Sequence, residues 1–249
     1  MHGSKVLLKL SLVLLVLVML LSVASTAVAA GVVWTWLQNL PDFKSPTAFQ
    51  VAQPTKVYSA DGKLLAKFFL QNREMVPMSQ MATSLVKGVV DVEDERFYEH
   101  GGVDPVGVAR AALSSAEGDR QGASTITQQY VRNTVLLDER TQMTLARKVR
   151  EAYISIELEK TLTKDQILEN YLNTVYFGEG AYGAEAAARA FFGKSASQLT
   201  LPEGALIAGL VQSPKRLDPY VNPAGAINRR KAVLSRMLYN GDITQADYD

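Results

Sequence analysis

Gly122-Ala123-Ser124-Thr125-Ile126-Thr127-Gln128-Gln129, followed by Tyr130-Val131-Arg132-Asn133, is the stretch on which the reading of this 249-residue chain turns. Hydroxyls and two adjacent amides lead into an apolar-periodic segment, so the stretch reads as the start of a helix. Backbone N–H groups at a helix start lack intrahelical partners. With these side chains around them they can hold sugar hydroxyls or phosphate oxygens. On bare chemistry a polar N-cap accounts for the same residues equally well.

Upstream lies an acidic cluster, Glu93-Asp94-Glu95-Arg96-Phe97-Tyr98-Glu99-His100-Gly101-Gly102. If a helix runs through it, Glu93, Phe97 and His100 share a face at i, i+4 and i+7. A carboxylate beside an aromatic ring is partly desolvated, which raises its pKa and makes it a better base. The alternative is a solvated helix end, although apolar Val89, Val90 and Val92 argue against full exposure. Downstream comes Arg147-Lys148-Val149-Arg150-Glu151, with Arg147 and Glu151 spaced i, i+4. A surface ion pair is the ordinary explanation of that spacing. A cationic clamp for a diphosphate, beside a second carboxylate, is the functional one.

Composition removes several other chemistries. There is no cysteine, hence no disulfide framework, thiolate metal site or cysteine nucleophile. With only two histidines, one of them His2 in the tail, a histidine-rich metal site or a Ser-His-Asp triad would rest on His100 alone. The formal charge is +1, without the basic excess of a nucleic-acid binder. Carboxylate chemistry is what remains.

Residues 6–33 are almost wholly apolar, long enough for the roughly 20 residues that cross a bilayer as a helix. Lys5 and Lys9 precede the run and orient it with the rest of the chain outside the cytoplasm. Trp34 and Trp36 fall where interfacial aromatics belong. Ala27-Val28-Ala29 resembles a signal-peptide cleavage site, but the run is long for a signal sequence. The expectation is a single-pass anchor with an exported catalytic part: tail and anchor over 1–36, a connector over 37–55, and one domain over 56–249.

In that domain, Asp61-Gly62 between two β-prone runs predicts a hairpin. From Ser79 onward the pattern is helical nearly to the end. Asp104-Pro105, Thr163 with Gln166, and Thr200 with Glu203 are helix starts. Asn222-Pro223 opens a helix that Gly241 closes, and Thr244 caps a further turn that leaves Tyr248 without an obvious partner. Residues 140–162 read as one amphipathic helix. Residues 114–122 read as a mobile loop, able to admit one substrate and release a product. Ser84-Leu85-Val86-Lys87 fits Ser-x-x-Lys but lacks companion motifs, so it reads as coincidence.

Taken in order, Glu-Asp-x-x-Phe-x-x-His-x-Gly, Gly-x-Ser-Thr-Ile-Thr-Gln-Gln and Arg-Lys-x-x-Glu resemble the motif series of the peptidoglycan glycosyltransferases. Ile167-Leu168-Glu169-Asn170-Tyr171-Leu172-Asn173, with Tyr176 and Gly178, resembles the fourth motif. The likeness continues through Phe192-Gly193-Lys194 and Pro214, and spans about 57–249.

The resemblance implies a mainly α, lysozyme-like fold with a smaller membrane-apposed subdomain. It implies polymerisation of lipid II onto a growing glycan strand, with inversion to β-1,4 bonds. Carried over by position, Glu93 is the general base and Glu151 the second essential carboxylate. Arg132 and Arg147, with Lys148 alongside, match the diphosphate-contacting positions. Ser124, Thr125, Gln128 and Gln129 would line the donor site. Asp94, Phe97, His100 and Asn173 complete the substrate-binding set, His100 as a hydrogen-bonded support. No intrinsic cofactor or protein-held metal is implied, only a divalent cation such as Mg2+ at the substrate diphosphate. Partners would be lipid II, the glycan strand, the membrane and other cell-wall synthesis proteins, with no nucleic acid. Inhibition by moenomycin follows from the same likeness.

A lysozyme-like lytic enzyme would also use one buried Glu, but it has no use for a diphosphate clamp. A non-catalytic cell-wall scaffold would not need the whole motif set. The lead-in hairpin and the Gly-x-Ile-Thr segment near the C-terminus resemble bifunctional penicillin-binding proteins. We therefore expect this chain to be the N-terminal part of one, with a transpeptidase following.

Overall fold

The computed structural model describes residues 2–45, 47–51, 54–69, 71–116 and 122–249. In chain order come α1 (His2–Trp36), β1 (Thr55–Tyr58), β2 (Leu64–Phe68), β3 (Asn72–Arg73), α2 (Thr83–Glu93), α3 (Pro105–Ala116) and α4 (Ile126–Asn133). Then follow α5 (Leu145–Leu158), α6 (Lys164–Leu172), β4 (Tyr176–Gly178), β5 (Ala181–Tyr182), α7 (Ala184–Phe192), α8 (Leu201–Leu210), α9 (Pro223–Tyr239) and α10 (Gln245–Tyr248). The fold is mainly helical with small sheets. The chain forms two compact units, Met1–Pro41 with Gln142–Arg150, and Asp42–Thr141 with Glu151–Asp249.

In the first unit, the Lys9–Trp36 part of α1 is long and apolar enough to cross a membrane, and none of its apolar core is buried. Its few hydroxyls are satisfied within the helix: Ser25 donates to the Leu21 carbonyl at 2.7 Å and Thr26 to that of Ser22 at 2.8 Å. Such back-bonding removes the cost of a bare hydroxyl in hydrocarbon. The same unit holds the start of α5. Thr144 caps it, its Oγ1 accepting the Arg147 N–H at 3.2 Å. The helix expected over 140–162 is therefore shorter. At its other end the Leu158 carbonyl accepts both the backbone N–H and the hydroxyl of Thr161, each at 2.9 Å.

In the second unit, β1 and β2 pair antiparallel around Asp61-Gly62, with Gly62 at φ +80°. The helical expectation from Ser79 onward is corrected by a three-stranded sheet of order β3-β5-β4. Its middle strand takes β3 as a parallel partner from about a hundred residues upstream, pairing Asn72 with Ala181 and Arg73 with Tyr182. No local periodicity announces such a ladder. The turn between β4 and β5 is short, with Glu179 at φ +48° and Gly180 at φ +70°.

The core forms where α2, α8 and α9 meet, around Leu85, Val89, Ile207, Val233 and Met237, all fully buried or nearly so. Gly88 permits the close approach, since a Cβ there would lie 3.2 Å from that of Ala208 and 3.3 Å from Val233. Capping boxes at Thr163 with Gln166 and at Thr200 with Glu203 start α6 and α8 as their sequences read. Asn222 caps α9, accepting the Gly225 N–H at 3.0 Å. Thr244 caps α10, and the Tyr248 hydroxyl meets Ser235 Oγ at 3.2 Å, so Tyr248 does have a partner. Of the loop expected over 114–122, residues 114–116 belong to α3, while 117–121 lie outside the described residues. The Ser-x-x-Lys residues serve packing: Ser84 donates to the Thr200 carbonyl and Lys87 pairs with Asp242.

Candidate active site

Glu93 is the last residue of α2. Asp94 leaves the helix at φ −163° and ψ 71°. This corrects the expectation that Glu93, Phe97 and His100 share a helical face. The chain breaks there because the Asp94 carboxylate is held elsewhere. Its Oδ2 accepts the Ile126 N–H at 2.9 Å, and its two oxygens stand 2.9 and 3.0 Å from His100 Nε2. Phe97 is fully buried, edge-on to the His100 ring at 6.2 Å, with the Lys164 ammonium 4.5 Å from its centroid. Two residues after His100, Gly102 adopts φ +87°, and a Cβ there would lie 2.7 Å from the Ser155 carbonyl. Its own carbonyl accepts the Thr125 hydroxyl at 2.7 Å. Phe97, His100 and Gly102 thus support the start of α4 from behind.

At that start, Thr125 and Gln128 form a capping box, Thr125 Oγ1 accepting the Gln128 N–H and Gln128 Oε1 the Thr125 N–H. The polar N-cap reading holds for these two residues. Gln129 does something else: its Nε2 donates to Glu93 Oε2 at 2.9 Å, while its Oε1 accepts the Tyr171 hydroxyl at 2.9 Å. One turn on, Arg132 Nη1 lies 3.9 Å from Oε1 of the fully buried Glu151.

Glu93, Asp94, Ser124, Thr125, Gln129 and Arg132 line one cleft of about 740 Å³. α9 adds to the lining through Arg229, Arg236 and Tyr239. Arg229 Nη2 stands 3.6 Å from Glu93 Oε1. These α9 residues were not singled out from the sequence. Their spacing of seven and then three residues along one helical face is the signal that could have found them.

Burial raises the Glu93 pKa above the ordinary carboxylate range, and neighbouring Asp94 adds to it; the Gln129 hydrogen bond and the charges of Arg229 and Arg132 oppose the rise. Arg229 is itself lowered by burial, with Glu93 opposing. A guanidinium starts so high that it keeps its proton regardless. The side chain of Glu93 is 12% exposed, so a bound hydroxyl can reach it from the cleft.

Of the remaining sequence-derived positions, those in the second unit are not among the residues that line the cleft. Gln128, Phe97 and His100 act as described above. Asn173 is clamped to Val76, accepting its N–H at 3.0 Å and donating to its carbonyl at 2.9 Å. Arg147 and Lys148 belong to the first unit, where the Arg147 guanidinium donates to the Gln142 carbonyl. Chemically, the cleft offers a desolvated carboxylate that can take a proton, flanked by fixed cations that can stabilise a developing anion.

Residues 61–238 match the family model described as Transglycosylase. The chain is 48% identical to penicillin-binding protein 1A of Escherichia coli (strain K12) over 214 residues, which are 85% of this chain and 25% of that protein. With penicillin-binding protein 1A of Vibrio cholerae the identity is 45% over 213 residues, 85% of this chain and 26% of that one. The chain therefore spans about a quarter of the length of these curated relatives. A crystal structure of penicillin-binding protein 1A from Haemophilus influenzae aligns with TM-score 0.46 at 26% identity, covering 80% of this chain and 20% of that one. With the family match running from the hairpin turn to the end of α9, across every residue that lines the cleft except Tyr239, the chain belongs to the transglycosylase family, the peptidoglycan glycosyltransferases.

Proposed function

We propose that this chain polymerises the glycan strands of peptidoglycan, joining a growing lipid-diphosphate-linked strand to lipid II. The observation that carries the reading is Glu93, a buried carboxylate of raised pKa at the wall of a cleft that also holds Arg132 and Arg229. In the reaction Glu93 takes the proton of the acceptor's N-acetylglucosamine 4-hydroxyl. That oxygen attacks C1 of the donor's muramyl residue, and the bond from C1 to the diphosphate breaks with its electron pair on the leaving oxygen. A single displacement of an α-linked diphosphate gives a β-1,4 bond with inversion.

The leaving group collects negative charge, so positioned cations contribute most there. Arg132 serves it from α4, and family resemblance assigns Arg147 and Lys148 to the same task. Glu151 holds Arg132 in place from a fully buried position. Ser124, Thr125 and Gln129 are the polar residues of the second motif that line the cleft, and Thr125 with Gln128 also holds the helix start. A divalent cation such as Mg2+ would ride on the diphosphate of the substrate. Among the described residues no three His, Cys, Asp or Glu side chains converge to cage one, so no step is assigned to a metal.

α1 suits substrates that are themselves lipids, with the lysines near its start directing the catalytic part outside the cytoplasm. Other cell-wall synthesis proteins are the expected partners. The deciding experiment is conversion of lipid II to polymer by the full chain in detergent. Glu93→Gln should abolish it, since such bases are worth about 10²–10⁴ in rate. Turnover above about a tenth of wild type in that variant would sink the assignment.

A further inference from the structure

We infer that Tyr171 is a positioning residue for Glu93, acting through the side-chain amide of Gln129. The inference rests on the proposal that Glu93 is the base. Tyr171 lies in α6, is fully buried, and contributes nothing to the cleft wall. Its hydroxyl donates to Gln129 Oε1, and the Nε2 of the same amide donates to Glu93 Oε2, both at 2.9 Å. Three helices are joined in one line: α6 to α4 to α2.

A primary amide is nearly symmetric in shape but opposite in polarity at its two ends. Turned over, Gln129 would present a carbonyl oxygen to the carboxylate of Glu93. The ionised Glu93, which only accepts, selects the amide end that it meets, and the Tyr171 hydroxyl, donating to the carbonyl end, holds the amide in that orientation. The phenol is a dependable donor. Burial, chiefly, and then the nearby Glu93 charge hold its pKa well above the ordinary value, so it keeps its proton wherever the enzyme works.

Glu93 is faced by charged groups from every side. Arg229 comes from α9, Arg132 from α4, and Asp94 follows it directly in sequence. Both arginines act whichever way the amide sits. The Gln129 bond is the influence that depends on Tyr171, and it is the largest one favouring the ionised carboxylate. Without it Glu93 holds its proton to higher pH, and the base form becomes scarce in acid. A purely structural tyrosine would cost stability and lower turnover equally at every pH.

The test measures lipid II turnover against pH for the full chain in detergent, comparing wild type, Tyr171→Phe, Gln129→Asn and the double variant. In Tyr171→Phe the acid limb is expected at higher pH. Turnover there should fall about tenfold, as a charge-assisted hydrogen bond warrants, and approach wild type in alkali. KM should stay as it is, because Tyr171 does not line the cleft. Gln129→Asn should shift the limb the same way, and the double variant should shift it no further than either alone. Carbon-13 NMR of the Glu93 carboxyl should report the same shift without any turnover.

An unmoved limb in Tyr171→Phe, or a uniform loss at all pH values, overturns the inference. Should that variant not fold, 3,5-difluorotyrosine at 171 is a stronger donor of the same shape. It should move the limb to lower pH, and an unmoved limb is again decisive against Tyr171. Failure of the underlying reading looks different: wild type leaves lipid II untouched, or Glu93→Gln keeps its turnover.

Discussion

The carboxylate of Asp94 accepts the backbone N–H of Ile126 at 2.9 Å, across 32 residues of sequence. It sits at the N-terminus of α4, where a negative charge is favourable. The same group holds His100, and it stands immediately after Glu93. Where α2 ends and where α4 begins are therefore fixed by one side chain. The distance from Glu93 to Gln129 follows from that junction.

Replacing Asp94 with Ala should consequently cost stability before it costs chemistry. The change strands a helix-start N–H and a buried imidazole, and we expect a loss of about 3 kcal/mol. Asp94→Asn keeps one acceptor oxygen and should lose less. Urea denaturation of the full chain in detergent, followed by circular dichroism, measures both. A loss under about 1 kcal/mol for the Ala variant would mean the junction is held by other contacts.

Arg229 should tune the base from α9. Its charge lowers the Glu93 pKa against burial, so removing it raises the pKa further. Glu93 is active only when ionised, and Arg229→Met should move the acid limb of the turnover profile to higher pH. Arg229→Lys should move it less. Methionine retains much of the packing against Gly209, which the Arg229 side chain approaches closely. A profile unchanged in Arg229→Met would remove α9 from the electrostatics of the site.

Legibility followed range along the chain. The capping boxes at Thr163, Thr200 and Thr244 and the Asp61-Gly62 hairpin are local, and the residues that make them announce them. The contact of Glu93 with Gln129 was not legible, since nothing in either segment points at the other. Arg229 escaped because α9 was read for its boundaries and not for its face. The β3–β5 ladder escaped because its halves are too short and too far apart for a strand pattern. The end of α2 at Glu93 is set by the partners of Asp94 on α4 and at His100, which nothing in the acidic cluster itself announces.

At the diphosphate end, Arg132→Ala should raise KM for lipid II about tenfold or more, through loss of a charge-assisted contact. Glu151→Gln and Arg147→Ala should each lower kcat at least about a hundredfold. Glu151 is completely buried, with Arg132 at 3.9 Å, so a neutral isostere tests charge with little change of shape. Steady-state kinetics with lipid II separate the two effects. Near-normal constants in the Arg147 and Glu151 variants would leave those two residues a structural role alone.

Asp91 gives a prediction about stability alone. It is buried on α2, its Oδ1 accepting the Asn240 amide at 2.8 Å and its Oδ2 lacking a hydrogen bond. Burial first, and then the adjacent Asp242, push its pKa up to about 6, against the Asn240 bond and the charge of Lys87. The folded protein thus binds this proton more tightly than the unfolded chain, whose aspartate titrates near the ordinary 3.8. Where the folded state holds the extra proton, stability falls as pH rises. Asp91 should therefore cost stability progressively between about pH 4 and 6, with the full penalty in place above that window. Asp91→Asn keeps an acceptor for Asn240, can donate to Asp242, and does not titrate. Melting temperatures of the full chain across pH 4–8 should decline less in this variant than in wild type. The variant should also melt a few degrees higher at pH 8, at about 2–4 °C per kcal/mol for a domain of this size. Parallel curves for the two proteins would show that Asp91 is ionised in the fold throughout, and that Lys87 and Asn240 outweigh its burial.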